Sequence, residues 1–458
     1  MNVRSDRPLA PPPPGPPRRA ALRMLAVMAR DRLGMIGDAV DRYGDAVRLP
    51  VGHKSLHVFN RPEYAKHVLA DNSGNYRKGI GLVHARRALG DGLLTSDGEL
   101  WRTQRRVIQP AFHPRRVAQH ADVVALEAES LIHRLQRRRS EGPVDIVTEF
   151  TGLTLGILGR TLLDADLTAF GSIGEAFAAV QDQAMFELAT LNAVPTWLPL
   201  SRQLRFRRAR RQLQVVVDEL VAQRESRPIG DHEDVLSRLI LSTRAEPDPR
   251  VARRRLRDEL VTLLLAGHET TASTLGWTLY LIDNEPEVRR RLREEADRVL
   301  GGRRPTYADL PHLRYTTMVV EEAMRLYPPV WLLPRLAVDA DVVGSYGVPA
   351  GSDVVILPYT LHRHPEFWAA PGRFDPERFD PVRARERPRY AYIPFGAGPR
   401  VCVGSSLGLM EAVFVLAMIA RELRLSTLPG HQIVPEPMLS LRIRGGLPML
   451  ISGSDGGS

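Results

Sequence analysis

Cys402 is the only cysteine in 458 residues, so no intrachain disulfide can tie this chain together. An isolated cysteine is ordinarily a small buried hydrophobe. Its surroundings, Phe395-Gly-Ala-Gly-Pro-Arg-Val-Cys-Val-Gly404, suit another use. Gly396, Gly398 and Gly404 lack the Cβ that would keep backbone away from a large flat ligand. Phe395 offers an apolar face, and Arg400 offers a fork of donors for a carboxylate. Amides close to a thiolate would tune its donation to a metal.

Hydrophobic content of 43% and charged content of 25% lie in the globular range and allow a substantial core. No internal repeat stands out. Met1 to Pro17 carries Arg4, Asp6 and Arg7 and then a proline-rich run from Pro11, without the basic-then-apolar order of a signal peptide. Residues 1–20 are therefore expected to be a disordered tail, 21–451 one large domain and 452–458 a flexible end. With no apolar helix ahead of the prolines, the expectation is a cytoplasmic protein without a membrane anchor. The stretch 259–282 is the one that could be mistaken for a membrane span. His268 and Glu269 stand at its middle, where a charge costs about 2.5–3.5 kcal/mol in a bilayer, so it reads as a buried core helix.

The balance of 63 basic to 53 acidic residues is carried almost wholly by arginine, since the only lysines are Lys54, Lys66 and Lys78. The runs Arg137–Arg139, Arg207–Arg211 and Arg253–Arg255 stand beside apolar residues at helical spacing, as solvated helix faces do. There is no aromatic and basic platform of the kind that binds single strands, and no nucleic-acid partner is expected.

Along the chain, 46–50 and 55–59 alternate like short strands around a turn at 52–54, and 61–71 follows a helical pattern. From Trp101 to about Leu326 the pattern is mostly helical, broken at Pro143, Pro195, Pro199 and Pro228. Beyond Pro328 it becomes irregular, with turn chemistry at 344–351 and a strand at 353–357. A helix resumes from Ser405 to Leu423. The fold class expected is mainly α with a minor β region.

Three further groups bear on function. Ala266-Gly-His-Glu-Thr-Thr271 places a glycine, an acid and two hydroxyls inside a leucine-rich helix, where each needs a reason. Glu322 and Arg325 are spaced i, i+3 on one helix, so their side chains meet. Trp101 and Arg105 lie one helical turn apart.

The window 395–404 fills every defined position of Phe-x-x-Gly-x-Arg-x-Cys-x-Gly and resembles the haem-binding signature of the cytochrome P-450 family. The other groups resemble that family's Ala/Gly-Gly-x-Asp/Glu-Thr-Thr/Ser, Glu-x-x-Arg and Trp-x-x-x-Arg motifs, in the expected order. The resemblance implies haem b with Cys402 thiolate as the axial iron ligand, the thiolate favouring O–O cleavage. Trp101, Arg105, Arg335, Phe395, Arg400 and Gly404 would surround the cofactor. Ala266 and Gly267 would form a local break admitting O2. Glu269 and Thr270 would deliver protons. Glu322, Arg325 and Arg378 would form a buried structural triad. His268, Val330, Trp331 and Leu332 would line the substrate pocket, near further pocket segments at 76–94, 176–200 and Met438.

The activity implied is monooxygenation of a hydrophobic terpenoid, polyketide or fatty-acyl molecule, by hydroxylation or epoxidation, in specialised metabolism. Electrons would come from NAD(P)H through a separate ferredoxin reductase and ferredoxin, the latter docking on Arg102, Arg106, Arg115 and Arg116. The alternatives are a peroxide-driven peroxygenase, which the Glu269–Thr270 pair argues against, and a non-catalytic haem-binding protein.

Overall fold

The longest element is the helix Pro249–Asp283, 35 residues or roughly 50 Å, and its start follows from local chemistry. Asp248 accepts the Arg250 backbone N–H at 2.8 Å, and Pro249 occupies a first-turn position where no N–H is needed. The computed structural model describes residues 10–51, 54–167, 173–190, 194–195, 197–226, 234–244 and 246–453. Pro228, the turn at 52–53 and the ends 1–9 and 454–458 lie outside them. The chain forms two compact units and passes between them repeatedly, so no single cut in the sequence separates them.

The first unit takes residues up to 84, 330–373 and 385–402. Its sheet runs in the order Ala46–Val51, Lys54–Phe59, Asp353–Ile356, Leu333–Ala337 and Tyr76–Lys78. Lys54–Phe59 and Asp353–Ile356 are parallel, with Val58 opposite Val355, and the other neighbours are antiparallel. The middle strand is a continuous apolar run after Asp353 and is buried throughout, as a strand covered on both faces must be. Phe59, Leu69, Val354, Ile356 and Ile393 share its core. The hairpin Asp341–Val343 and Tyr346–Val348 turns within the segment of turn chemistry.

Residues 10–20 depart from the disordered tail expected of them. The Pro11 carbonyl accepts the Gly347 N–H at 3.0 Å, and the Pro14 carbonyl accepts the Arg48 N–H at 2.8 Å. Proline cannot donate, but its carbonyls accept, and three residues make one turn of an extended proline helix, so positions 11 and 14 present alike. At the other end Ser452 and Gly453 belong to a strand, paired with Arg424 and Leu423.

The second unit takes 85–329, 374–384 and the chain from 403 onward, and is mostly helical. In it the Pro249–Asp283 core helix packs against helices Ile146–Leu158, Arg314–Leu326 and Ser405–Glu422. The contact with Ile146–Leu158 is close because of two glycines. A Cβ on Gly267 would stand 2.1 Å from Leu158 Cδ1, and one on Gly276 would stand 3.2 Å from Val147 Cγ2. Thr154 Oγ1 also donates across this contact to the His268 carbonyl at 3.0 Å. Gly267 thus lets the Leu158 side chain lie directly on the core helix. The core helix is unbroken there, in contrast to the local break expected. Among the described residues one helical stretch is long and apolar enough to cross a membrane, and it is Ile146–Leu163, 67% buried, rather than 259–282.

Glu322 and Arg325 are both fully buried. Arg325 Nε and Nη2 donate to the two Glu322 oxygens at 2.6 and 2.7 Å. Glu322 Oε1 also accepts the Asp375 N–H at 2.8 Å and lies 3.4 Å from Arg378 Nε. Burial pushes the Glu322 carboxyl up, and this outweighs the opposing pull of Arg325. The group therefore fixes the 374–384 segment to the Arg314–Leu326 helix more than it adds stability. Removing one member leaves the other charge stranded. Glu322→Ala is expected to cost about 3–5 kcal/mol, read from the denaturant midpoint, and a loss below about 1 kcal/mol would refute the assignment.

Two further acids lie inside this unit. Glu259 and Glu411 are each pushed up to about 8, chiefly by burial. Unfolded carboxyls ionise near 4.3, so between that pH and about 8 the folded chain holds protons that the unfolded chain has released. Stability should therefore fall as pH rises from about 5 to 8. Glu411→Gln should flatten the fall, the difference from wild type growing by up to about 1.4 kcal/mol per pH step in thermal or chemical melts.

Candidate active site

Cys402 stands exposed at the end of a loop in the first unit, with its N–H donating to the Phe395 carbonyl at 2.9 Å. The loop is held against the first unit's backbone. Gly398 has φ +68°, and a Cβ there would fall 1.8 Å from the Leu69 carbonyl oxygen, so only glycine can sit in this place. Gly396 takes φ +73° at the turn before it. Phe395 and Arg400 are half-buried on the same loop. In the neighbouring sheet Arg335 is 6% exposed, lies opposite Lys78 and donates to the Pro334 carbonyl at 2.9 Å. Of the expected pocket residues in this unit, Trp331 is buried, while Val330 and Leu332 are half-buried.

The second unit carries the hydroxyl and acid positions. Almost the whole middle of the core helix is buried, but Ala266 is exposed, and Gly267, Glu269 and Thr270 are half-buried. An opening in a leucine-rich helix at its polar residues is what a reacting face requires. Glu269 is held at both oxygens: Gln181 Nε2 donates at 2.6 Å and Ser440 Oγ at 2.7 Å. Thr270 Oγ1 donates its proton to the Ala266 carbonyl at 3.0 Å, leaving its lone pairs to accept. Beside them, Thr271 hydrogen bonds to Glu411.

His268 faces elsewhere. It is buried, its Nδ1 pairs with the Leu264 carbonyl, its ring lies 5.2 Å from Phe177, and burial pulls its pKa down. It is a neutral packing residue between the core helix and helix Ile173–Thr190, not a side chain presented to an opening. Trp101 and Arg105 are half-buried on helix Gly98–Ile108, where Arg105 Nε donates to Gln109 Oε1 at 3.0 Å. Gly404 begins helix Ser405–Glu422 and approaches Phe112, with 3.4 Å to a Cβ built there.

Sequence reasoning missed Gln181, Ser440 and Glu411. Nothing local marks Gln181 as a partner of Glu269. An acid within the apolar run Met410 to Ile419 was a visible anomaly of the same kind as Glu269.

The donor set fits an iron porphyrin. A soft sulfur stands exposed on its loop, and arginines suited to carboxylates occur in the matching segments. Residues 12–448 match the cytochrome P450 family. The chain is 37% identical to cyclooctatin synthase of Streptomyces melanosporofaciens over 91% of this chain and 90% of that protein. It is 32% identical to pentalenene oxygenase of Streptomyces avermitilis, covering 87% and 88%. It is also 33% identical to the chloroplastic carotene epsilon-monooxygenase of Arabidopsis thaliana, covering 90% and 80%. A match over nearly the whole chain, with the cysteine loop and the acid–threonine pair in their places, makes this protein a member of the cytochrome P450 family.

Proposed function

We propose that this P450 oxidises a terpenoid skeleton in specialised metabolism, with Cys402 as the axial ligand of haem and Glu269 and Thr270 as the groups that handle protons. The observation that carries the reading is the fixed Glu269 beside Thr270, on an open stretch in the otherwise buried middle of the core helix. Haem bound through a thiolate supplies activation of O2 and insertion of one oxygen atom. Arg335, Arg400, Trp101 and Arg105 would hold its propionates.

The protein side chains then have defined tasks. Gln181 and Ser440 keep the Glu269 carboxylate in one orientation, so a proton passed to it leaves from a fixed place. Thr270, with its own proton given to Ala266, accepts a hydrogen bond from water or from a proton-bearing group and so orders the delivery. Val330 and Leu332, both half-buried, are the best placed of the expected pocket residues to touch an apolar substrate. The terpenoid class is supported by relatives whose names include pentalenene and carotene.

Electrons would come from NAD(P)H through a ferredoxin reductase and a ferredoxin. Arg102, Arg106 and Arg115 are exposed and would offer a basic docking face. Arg102 donates to the Glu99 carboxylate at 3.0 Å, which offsets part of its charge, so Arg106 and Arg115 would carry more of that attraction than Arg102.

Reduced protein under carbon monoxide should show the red-shifted Soret band of a thiolate-bound iron, and Cys402→Ser should lose it. Thr270→Ala should keep the band but divert electrons from product to hydrogen peroxide, with product per NAD(P)H falling by about tenfold or more. Full coupling in Thr270→Ala would overturn its role.

A further inference from the structure

Residues 188–217 hold six arginines and no acidic residue, although the chain as a whole comes close to balancing the two. The stretch ends within helix Ser201–Glu225, whose Phe206, Ala209, Leu213, Val216 and Val217 are buried. The opposite face carries Leu204, Arg205, Arg208 and Arg211, all exposed. Arg205 has Asp182 only at 3.8 Å, and among the described residues Arg208 and Arg211 make no ion pair. The start of this face is apolar: Trp197 is 72% exposed, Leu200 44% and Leu204 41%. Trp197 belongs to a segment expected to line a pocket, yet no large apolar side chain among the described residues is more exposed. The turn that carries it is fixed. Buried Gln203 donates to the Pro195 carbonyl at 2.9 Å, and the Leu204 N–H donates to the Leu200 carbonyl at 2.9 Å.

Two properties of this surface identify its partner. Arginines without acids attract anions, and an exposed indole beside leucines is most stable where apolar and wet surroundings meet. Leu204 and Arg211 are seven residues apart on one helix, about 10 Å at the helical rise. A bilayer offers hydrocarbon and anionic headgroups over the same depth. An acidic protein or a nucleic acid offers the charge without the hydrocarbon. We propose that Trp197, Leu200 and Leu204 enter the surface of an anionic lipid bilayer while Arg205, Arg208 and Arg211 meet its phosphates. The contact is peripheral, since helix Ser201–Glu225 keeps its other face packed in the second unit. Nothing in it depends on the chemistry at Cys402.

The test is sedimentation of the haem-loaded protein with vesicles of phosphatidylglycerol and phosphatidylethanolamine, and with vesicles of phosphatidylcholine alone. The anionic vesicles should bind it at least about tenfold more tightly, and added salt should shrink the difference. Each arginine near an anionic surface is worth about fivefold, so Arg208→Gln/Arg211→Gln should weaken binding by about twentyfold. Trp197→Ser should weaken it by at least about fivefold and abolish a blue shift of tryptophan emission that accompanies binding of the wild type. All three positions are exposed, and the carbon monoxide band on the same samples reports whether each variant has folded. Wild-type protein that stays in solution with both vesicles, or that binds the two equally, overturns the proposal without any variant. Undiminished binding in the arginine variant overturns it as well. If Trp197→Ser binds as the wild type does while the arginine variant fails, the surface recognises charge alone, as on an acidic protein or a nucleic acid, and the assignment to lipid falls.

Discussion

The approach of Gly398 to the Leu69 carbonyl is the contact on which the functional chemistry depends. No other residue type fits where a Cβ would fall 1.8 Å from that oxygen, and the left-handed φ at Gly398 independently favours glycine. Cys402 follows within four residues, and its own N–H is committed to Phe395. Backbone hydrogen bonding and steric exclusion therefore fix where the chain carries this sulfur. A side chain carried this way can stay exposed without being loose.

A different solution operates in the core helix. Burying a long apolar helix is cheap, but a reacting face needs polar groups that are neither lost to solvent nor left without partners. Here Glu269 is satisfied by donors from two other parts of the chain, and Thr270 by its own helix. The glycine beside them serves a separate purpose, letting Leu158 come close enough to fix the helix against Ile146–Leu158. Rigidity at Gly267 and openness at Ala266 are adjacent but independent properties, and the side chain removed at 267 supplies only the first.

Much of this was legible because it is encoded by short spacings. The i, i+3 pair at 322 and 325, the strand pattern at 46–59 and the helix after the cysteine loop all follow from local periodicity. The structure places them at Arg314–Leu326, Ala46–Val51, Lys54–Phe59 and Ser405–Glu422. What periodicity does not carry is partnership across long stretches of chain. Gln181 and Ser440 lie 88 and 171 residues from Glu269, and nothing in their neighbourhoods distinguishes them from other polar residues. The proline run failed for a related reason. Its composition matches a disordered segment, yet its carbonyls find donors on Arg48 and Gly347, and composition does not reveal an acceptor that happens to meet a donor. His268 was misjudged because the motif makes its position variable, and only packing against Phe177 decides which way such a side chain turns.

Arginine supplies nearly all of the positive charge, and this shapes the second unit in a way that lysine could not. A guanidinium keeps its charge when partly buried and satisfies several acceptors at once, so Arg325 can sit fully buried with Glu322, while Arg257 holds Asp258. A lysine in either place would answer burial by giving up its proton. The acids respond in that way instead: Glu187, Glu259 and Glu411 are all shifted toward their neutral forms by burial.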